Sequence, residues 1–210
     1  MFPHSSNLTN WAAERQFLGR FYQSQGMRDA AHVSNDCGPT SLAVVLNILA
    51  FQANLNARPL DKTALLEAAG LHFWQRLPDW VPSVGGATAP WGMAAAFNLW
   101  SDRMKLEWRA ERHSRARRAH VIEHLMNGRP VTALKIWKNG GAHWVNLVRY
   151  SAEKDRVYYL DPNPWLEHLP PEKRLQSQTW KEFDADWSRA CWWSRLLGIH
   201  NEIIVYSRLI

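Results

Sequence analysis

Residues 35–51 read NDCGPTSLAVVLNILAF, and the change of character at Cys37 decides the fold. The stretch before it, from Gln23 to Asp36, is polar and reads as loop. After it, Leu42, Val45, Leu46 and Leu49 recur at helical spacing, which predicts an amphipathic helix beginning near Cys37. A thiol at a helix N-terminus meets unpaired backbone N–H groups and the positive end of the macrodipole, a setting that favours thiolate. Gly38 reads as the removal of a side chain where a substrate carbonyl must approach closely. The plainer reading is a buried cysteine packing as a small hydrophobe. Polar Asn35 and Asp36 beside Cys37 argue against it.

Working outward, residues 8–16 are expected to form a short helix, so that 1–20 is an N-terminal arm and 21–210 the domain. Residues 61–69 read as a second helix, with Asp61 as N-cap and Gly70 as stop. Residues 71–90 are rich in Pro, Gly and Trp and read as a long loop. A helix at 91–100 and a strand at 105–109 follow, and Ser114 is expected to cap a helix running to Asn127. Then the character changes. Val131–Trp137, His143–Tyr150 and Val157–Leu160 are β-rich runs separated by turn signals at Asn139-Gly140 and around 153–155. Thr179 and Glu182 spell a capping box, and Glu202–Ser207 a closing strand. Helices first and antiparallel strands later describe an α+β domain.

Composition narrows the function classes. Hydrophobic residues are 46% and charged residues 21% of 210, values of a folded chain that can bury a core. The 13 tryptophans are expected mostly in that core, since tryptophan supplies large apolar area. The net charge of +6 gathers between Arg103 and Arg118, but Glu107 and Glu111 are interspersed, so a solvated face is expected and no nucleic-acid partner. Two cysteines, Cys37 and Cys191, make no disulfide framework. The first fifteen residues lack a signal peptide's charged start and apolar core, and no apolar run reaches the length of a membrane span. A cytoplasmic location is expected, with export by a route lacking a cleaved signal left open. The oligomeric state is not readable from the sequence.

Two further segments complete a chemistry. Gly140-Gly141-Ala142-His143-Trp144 places a histidine at the start of an apolar strand, just after a glycine turn. Tyr158-Tyr159-Leu160-Asp161-Pro162-Asn163 ends the next strand on a carboxylate. Hairpin pairing of these strands brings Asp161 to His143. A thiol, an imidazole and a carboxylate remote in sequence but adjacent in space make a nucleophile with an oriented base. Asn163, in the same turn, stays open as the orienter, since an amide can do that work.

Together these segments resemble the papain-like cysteine peptidases that remove double-glycine leaders from bacteriocins, and more closely their soluble single-domain relatives. In that family the nucleophile motif reads Asp-Cys-Gly-Pro, as Asp36-Cys37-Gly38-Pro39 does here, the base sits in a His-Trp strand, as His143-Trp144, and the orienter in an Asp-Pro turn, as Asp161-Pro162. Gly128-Arg129-Pro130-Val131 resembles the lead into the family's central strand, and the resemblance extends over about residues 21–208. It implies a papain-like fold, with helices and the nucleophile first and an antiparallel sheet after. It also implies a thiol hydrolase acting on a peptide or related amide bond, with no cofactor and no metal. Such enzymes use a glutamine to bind the oxyanion. Where the transporter-linked members carry it this chain has Ala31, and Ser24-Gln25 resembles the Ser-Gln pair of many soluble relatives. The resemblance therefore assigns Gln25, with Gln23 as the alternative.

Three rival readings stand beside it, one of them a catalytically inactive binding module, which the intact set of Cys37, His143 and Asp161 argues against. His120-Val121-Ile122-Glu123-His124 spells an inverted zinc-peptidase motif, with Glu182 as a third ligand. Arg117 and Arg118 lie within a turn of that pair, a poor setting for a dication. The same papain-like scaffold also hosts acyltransferases and deamidases, so fold alone does not choose the acceptor.

Overall fold

The computed structural model describes residues 19–26, 35–53, 59–63, 65, 76–81 and 84–209. The sequence-based helix at 8–16, and most of the one at 61–69, lie outside these residues. The central element is helix α1, Cys37–Gln52. Every residue from Cys37 to Ala50 is buried, so the helix is not amphipathic as its spacing suggested. Its apolar stripe is continued around the cylinder by Ala43, Val44, Ile48 and Ala50, and Asn47 is satisfied by the Leu60 backbone, donating to its oxygen at 2.7 Å and accepting from its nitrogen at 2.9 Å. A helix apolar on all sides needs neighbours on all sides.

Those neighbours are helix α2, Pro90–Arg103, and a six-stranded antiparallel sheet. The strands are β1 Trp108–His113, β2 Val131–Ile136, β3 Ala142–Ser151, β4 Arg156–Leu160, β5 Leu175–Thr179 and β6 Ile203–Arg208, in the order β1-β6-β2-β3-β4-β5. Helix α3, Arg118–Met126, packs on β2 and β3. A four-residue helix α4, Pro171–Arg174, leads into β5. Helix α5, Trp180–Trp187, packs on β2, β4 and β5, and α6, Trp192–Leu196, precedes β6. Adjacent residues of the inner strands split between two cores. Leu134, Trp144 and Ile204 join the core of α1 and α2, while Ala133, Val145 and Ile203 join that of α3 and α5. A sheet covered on both faces reads as continuous apolar runs, as β2 and β3 do.

Four local expectations are corrected. The first strand starts at Trp108, because Lys105 takes a positive φ of 56° and the Leu106 N–H returns to Ser101 O at 2.8 Å, closing α2. Ser114 caps no helix; its hydroxyl donates to Gly198 O, and α3 begins at Arg118. Strand β5 was not foreseen. Tryptophan is not mainly core: Trp144, Trp180, Trp187 and Trp193 are buried, Trp80, Trp137, Trp165 and Trp192 are exposed, and Trp91, Trp100 and Trp108 lie between. The capping box stands as expected, with Thr179 and Glu182 bonded reciprocally. Of the basic stretch, Arg112 forks onto buried Glu202 at 2.8 Å for both bonds, Arg109 pairs with Asp102, and Arg118 with Asp155.

Candidate active site

Cys37 is the first residue of α1, with Asp36 at the cap position. Packing by itself requires a glycine at Gly38. A Cβ there would lie 2.6 Å from Thr88 Cβ and 3.2 Å from Met93 Sδ, so the glycine lets residues 84–89 close against the start of the helix. Thr88 O in turn accepts from buried Trp144 Nε1 at 3.1 Å. The residue after the histidine thus braces the same loop that braces the nucleophile.

His143 lies near the start of β3, opposite Lys135 on β2. The turn before it places Gly140 at φ 83°, where a side chain would be strained, and Gly141 where a Cβ would meet the Trp137 ring at 2.8 Å. The Trp137 ring stacks on the imidazole, 5.5 Å between centroids and 20° from parallel. His143 Nε2 bonds Asp161 Oδ1 at 2.6 Å. That leaves Nδ1 open toward Cys37, which also acts on this ring. Burial alone would push the imidazolium down, but the hydrogen bonds and negative charge of Asp161 and Cys37 outweigh it, and the pKa is raised to about 10. For Asp161, burial works to raise the carboxyl. His143, the Asn163 N–H and the Lys135 charge together hold it below the usual carboxylate range.

Asn163 does not share the orienting position. Its Oδ1 accepts from Trp165 N at 3.1 Å, capping the 3-10 turn Pro164–Leu166, while its own N–H supports Asp161 Oδ1 at 2.9 Å. Gln25 is buried, and its N–H donates to Pro162 O at 2.9 Å, beside the Asp161 turn. Lys62 Nζ ties the Gln25 carbonyl to the Asp36 carboxylate, the latter at 3.6 Å, so the glutamine is strapped to both sides of the site. Gln23 points elsewhere, its amide donating to Leu60 O at 2.6 Å.

A buried polar chain joins α1 to the sheet below. Asn146 Nδ2 donates to Ser41 O at 3.0 Å, Thr132 Oγ1 donates to Asn146 Oδ1 at 2.6 Å, and Tyr206 lies 2.7 Å from Thr132 Oγ1. Ser41 Oγ adds a bond to Trp144 O at 3.3 Å. Sequence reading missed this chain, and it missed Lys135, whose only signal is a lone charge in an apolar strand.

The zinc reading loses its third ligand, because the Glu182 carboxylate accepts from Thr179 N and Oγ1, both at 2.8 Å. His120 and His124 instead pack ring on ring with His113. Among the described residues no three His, Cys, Asp or Glu side chains converge as a metal site.

With this geometry in place, comparison with known proteins becomes specific. The family described as Peptidase_C39-like matches residues 17–190. The chain belongs to that family. As a Peptidase_C39-like chain it is a papain-like cysteine peptidase or related thiol hydrolase. A C39-like peptidase from Bacillus anthracis superposes with a TM-score of 0.53 at 16% identity, covering 89% of this chain and 94% of that one. This likeness shows the shared α+β fold. The peptidase domain of Streptococcus ComA, a bifunctional ABC transporter of a quorum-sensing pathway, aligns at a TM-score of 0.48 and 13% identity, covering 89% and 98%. No curated protein sequence matches significantly. Among the described residues, no helix of the Peptidase_C39-like chain is long and apolar enough to cross a membrane.

Proposed function

We propose that the chain cleaves a peptide or related amide bond through an acyl-enzyme on Cys37, with His143 as base, Asp161 as orienter and Gln25 binding the oxyanion. The observation that carries this reading is the two-sided grip on His143. Asp161 holds Nε2 at 2.6 Å, and Cys37 interacts with the same ring. The thiolate attacks the carbonyl carbon, and the developing oxyanion is met by the Cys37 backbone N–H of the first helical turn and the Gln25 amide. The C–N bond breaks as the imidazolium gives its proton to the leaving amine. Neutral His143 then takes a proton from water, whose oxygen attacks the thioester and releases the acid with the thiol restored.

A panel of electrophilic peptides read by mass spectrometry tests the proposal. At least one is expected to form an adduct on the Cys37 peptide, slowed in His143→Ala and absent in Cys37→Ala. Gln25→Ala is expected to lower peptide turnover about 10²–10³-fold, as loss of one oxyanion donor does, with Gln23→Ala close to wild type. Adducts that form on Cys191, or that ignore His143, would overturn the assignment.

A further inference from the structure

Strand β2 reads Val131-Thr132-Ala133-Leu134-Lys135-Ile136, and every one of these residues is buried. Lys135 is only 7% exposed, in a place where an aliphatic side chain would fill the strand at no electrostatic cost. It lies directly opposite His143 in the β2–β3 pairing, and directly opposed residues share a sheet face. Its ammonium donates to Gln178 Oε1 of β5 at 3.1 Å and sits over the rings of Tyr159 at 5.5 Å and Phe183 at 5.9 Å. Its counter-ion is loose and shared: Asp186 Oδ2 is 3.6 Å away, and the other oxygen of Asp186 faces Arg189 at 3.6 Å. Tyr159, under the ammonium, is two residues before Asp161 on β4, and Asp161 feels the Lys135 charge.

From this placement we propose that Lys135 is a positioning residue of the peptidase, the buried cation that holds Asp161 as the anionic partner of His143. The proposal rests on the Cys37, His143 and Asp161 reading. The groups in contact with the ammonium are Gln178 on β5, Tyr159 on β4 and Asp186 of α5 with its partner Arg189, while His143 lies across the β2–β3 pairing and Asp161 follows Tyr159 by two residues. Glu182, also on α5, is turned to its capping box. Lys135 therefore acts through Asp161 and sets the lowest pH at which the Cys37–His143 couple is reactive.

The test follows the rate of Cys37 carboxamidomethylation by iodoacetamide across the pH range, read by mass spectrometry. In Lys135→Met the acid limb is expected to move up by at least ~0.5 pH unit, and in Lys135→Arg to return to the wild-type position. Asp186→Asn, which keeps the lysine and removes its counter-charge, is expected to move the limb the opposite way. That variant carries the test should Lys135→Met fail to fold. In an Asp161→Asn background the Lys135→Met displacement is expected to vanish. A filler role for the lysine would lower folded yield and leave the limb in place, so an unmoved limb in the charge-changing variants overturns the proposal. The control is His143→Ala. A profile unchanged by it would reject the underlying triad reading, whereas a profile flattened by it, with Lys135 and Asp186 variants inert, rejects the Lys135 role alone.

Discussion

Two buried imidazoles of this chain sit in nearly equal seclusion and are driven in opposite directions. His143 is 6% exposed and His124 is 7% exposed. His143 is raised, to about 10, by Asp161 and Cys37 acting against burial. His124 is lowered, to about 4, by burial first and then by Arg129 and His120, and its Nδ1 has no hydrogen-bond partner among the described residues. The lesson is that burial fixes only a direction of cost. An anionic partner within hydrogen-bond reach decides whether a secluded histidine is a charged working group or a neutral packing group.

The largest expected effect comes from deleting one of the two partners. Cys37→Ala should abolish turnover and iodoacetamide labelling of the 37 position, while Cys191→Ser retains both; in the same variant the His143 ring, followed by NMR, should lose its proton at lower pH than in wild type. Labelling that goes first to Cys191 would break the comparison at its root. Deleting the other partner is next. Asp161→Ala makes His143 resemble His124 electrostatically, and turnover is expected to fall about 10²-fold or more at equal folded fraction, with Asn163→Ala much milder. An unimpaired Asp161→Ala beside a crippled Asn163→Ala would move the orienting role to the asparagine.

The smallest effect is on stability, and here the two histidines have opposite signs. Unfolded, each titrates near ~6.5. For His143, with its folded pKa raised, the stabilising contribution is complete below about 6.5 and is lost as pH rises toward 10. For His124, with its folded pKa lowered, the unfolded chain binds more protons between about 6.5 and 4, so stability is lost as pH falls through that window. His124→Phe should therefore shrink the drop in Tm between neutral pH and pH ~4.5 by a few degrees, given that about 1 kcal/mol moves Tm by roughly 2–4 °C in a chain of this size. A drop as large as that of wild type would show that another group carries the acid sensitivity.

How far the sequence could be read depended on whether a residue's task is local. Cys37 was legible because a cap and an apolar helix surround it, and His143 and Asp161 because each marks a strand end beside Gly or Pro. The α+β order followed from the same periodicities. Strand β5, Leu175-Gln176-Ser177-Gln178-Thr179, was not legible, since an edge strand pairing on one side needs little apolar alternation. The full burial of α1 was hidden because its outer face touches elements far along the chain. Lys135 was hidden for a related reason. Its meaning lies in the residue across the hairpin and not in its sequence neighbours.

The hydrogen-bonded chain running from Ser41 through Asn146 and Thr132 to Tyr206 makes the contact of α1 with the sheet a stitched seam and not a hinge. Sliding the helix along the sheet by even one residue would strand the Ser41 carbonyl and hydroxyl and the Asn146 amide in a dry interior, each at a cost of about 1–3 kcal/mol. Amide hydrogens of the buried segment of α1 around Ser41 are expected to be among the slowest to exchange, which hydrogen-exchange mass spectrometry checks. An inhibitor that depends on wedging α1 from the sheet at this point has to break those bonds first.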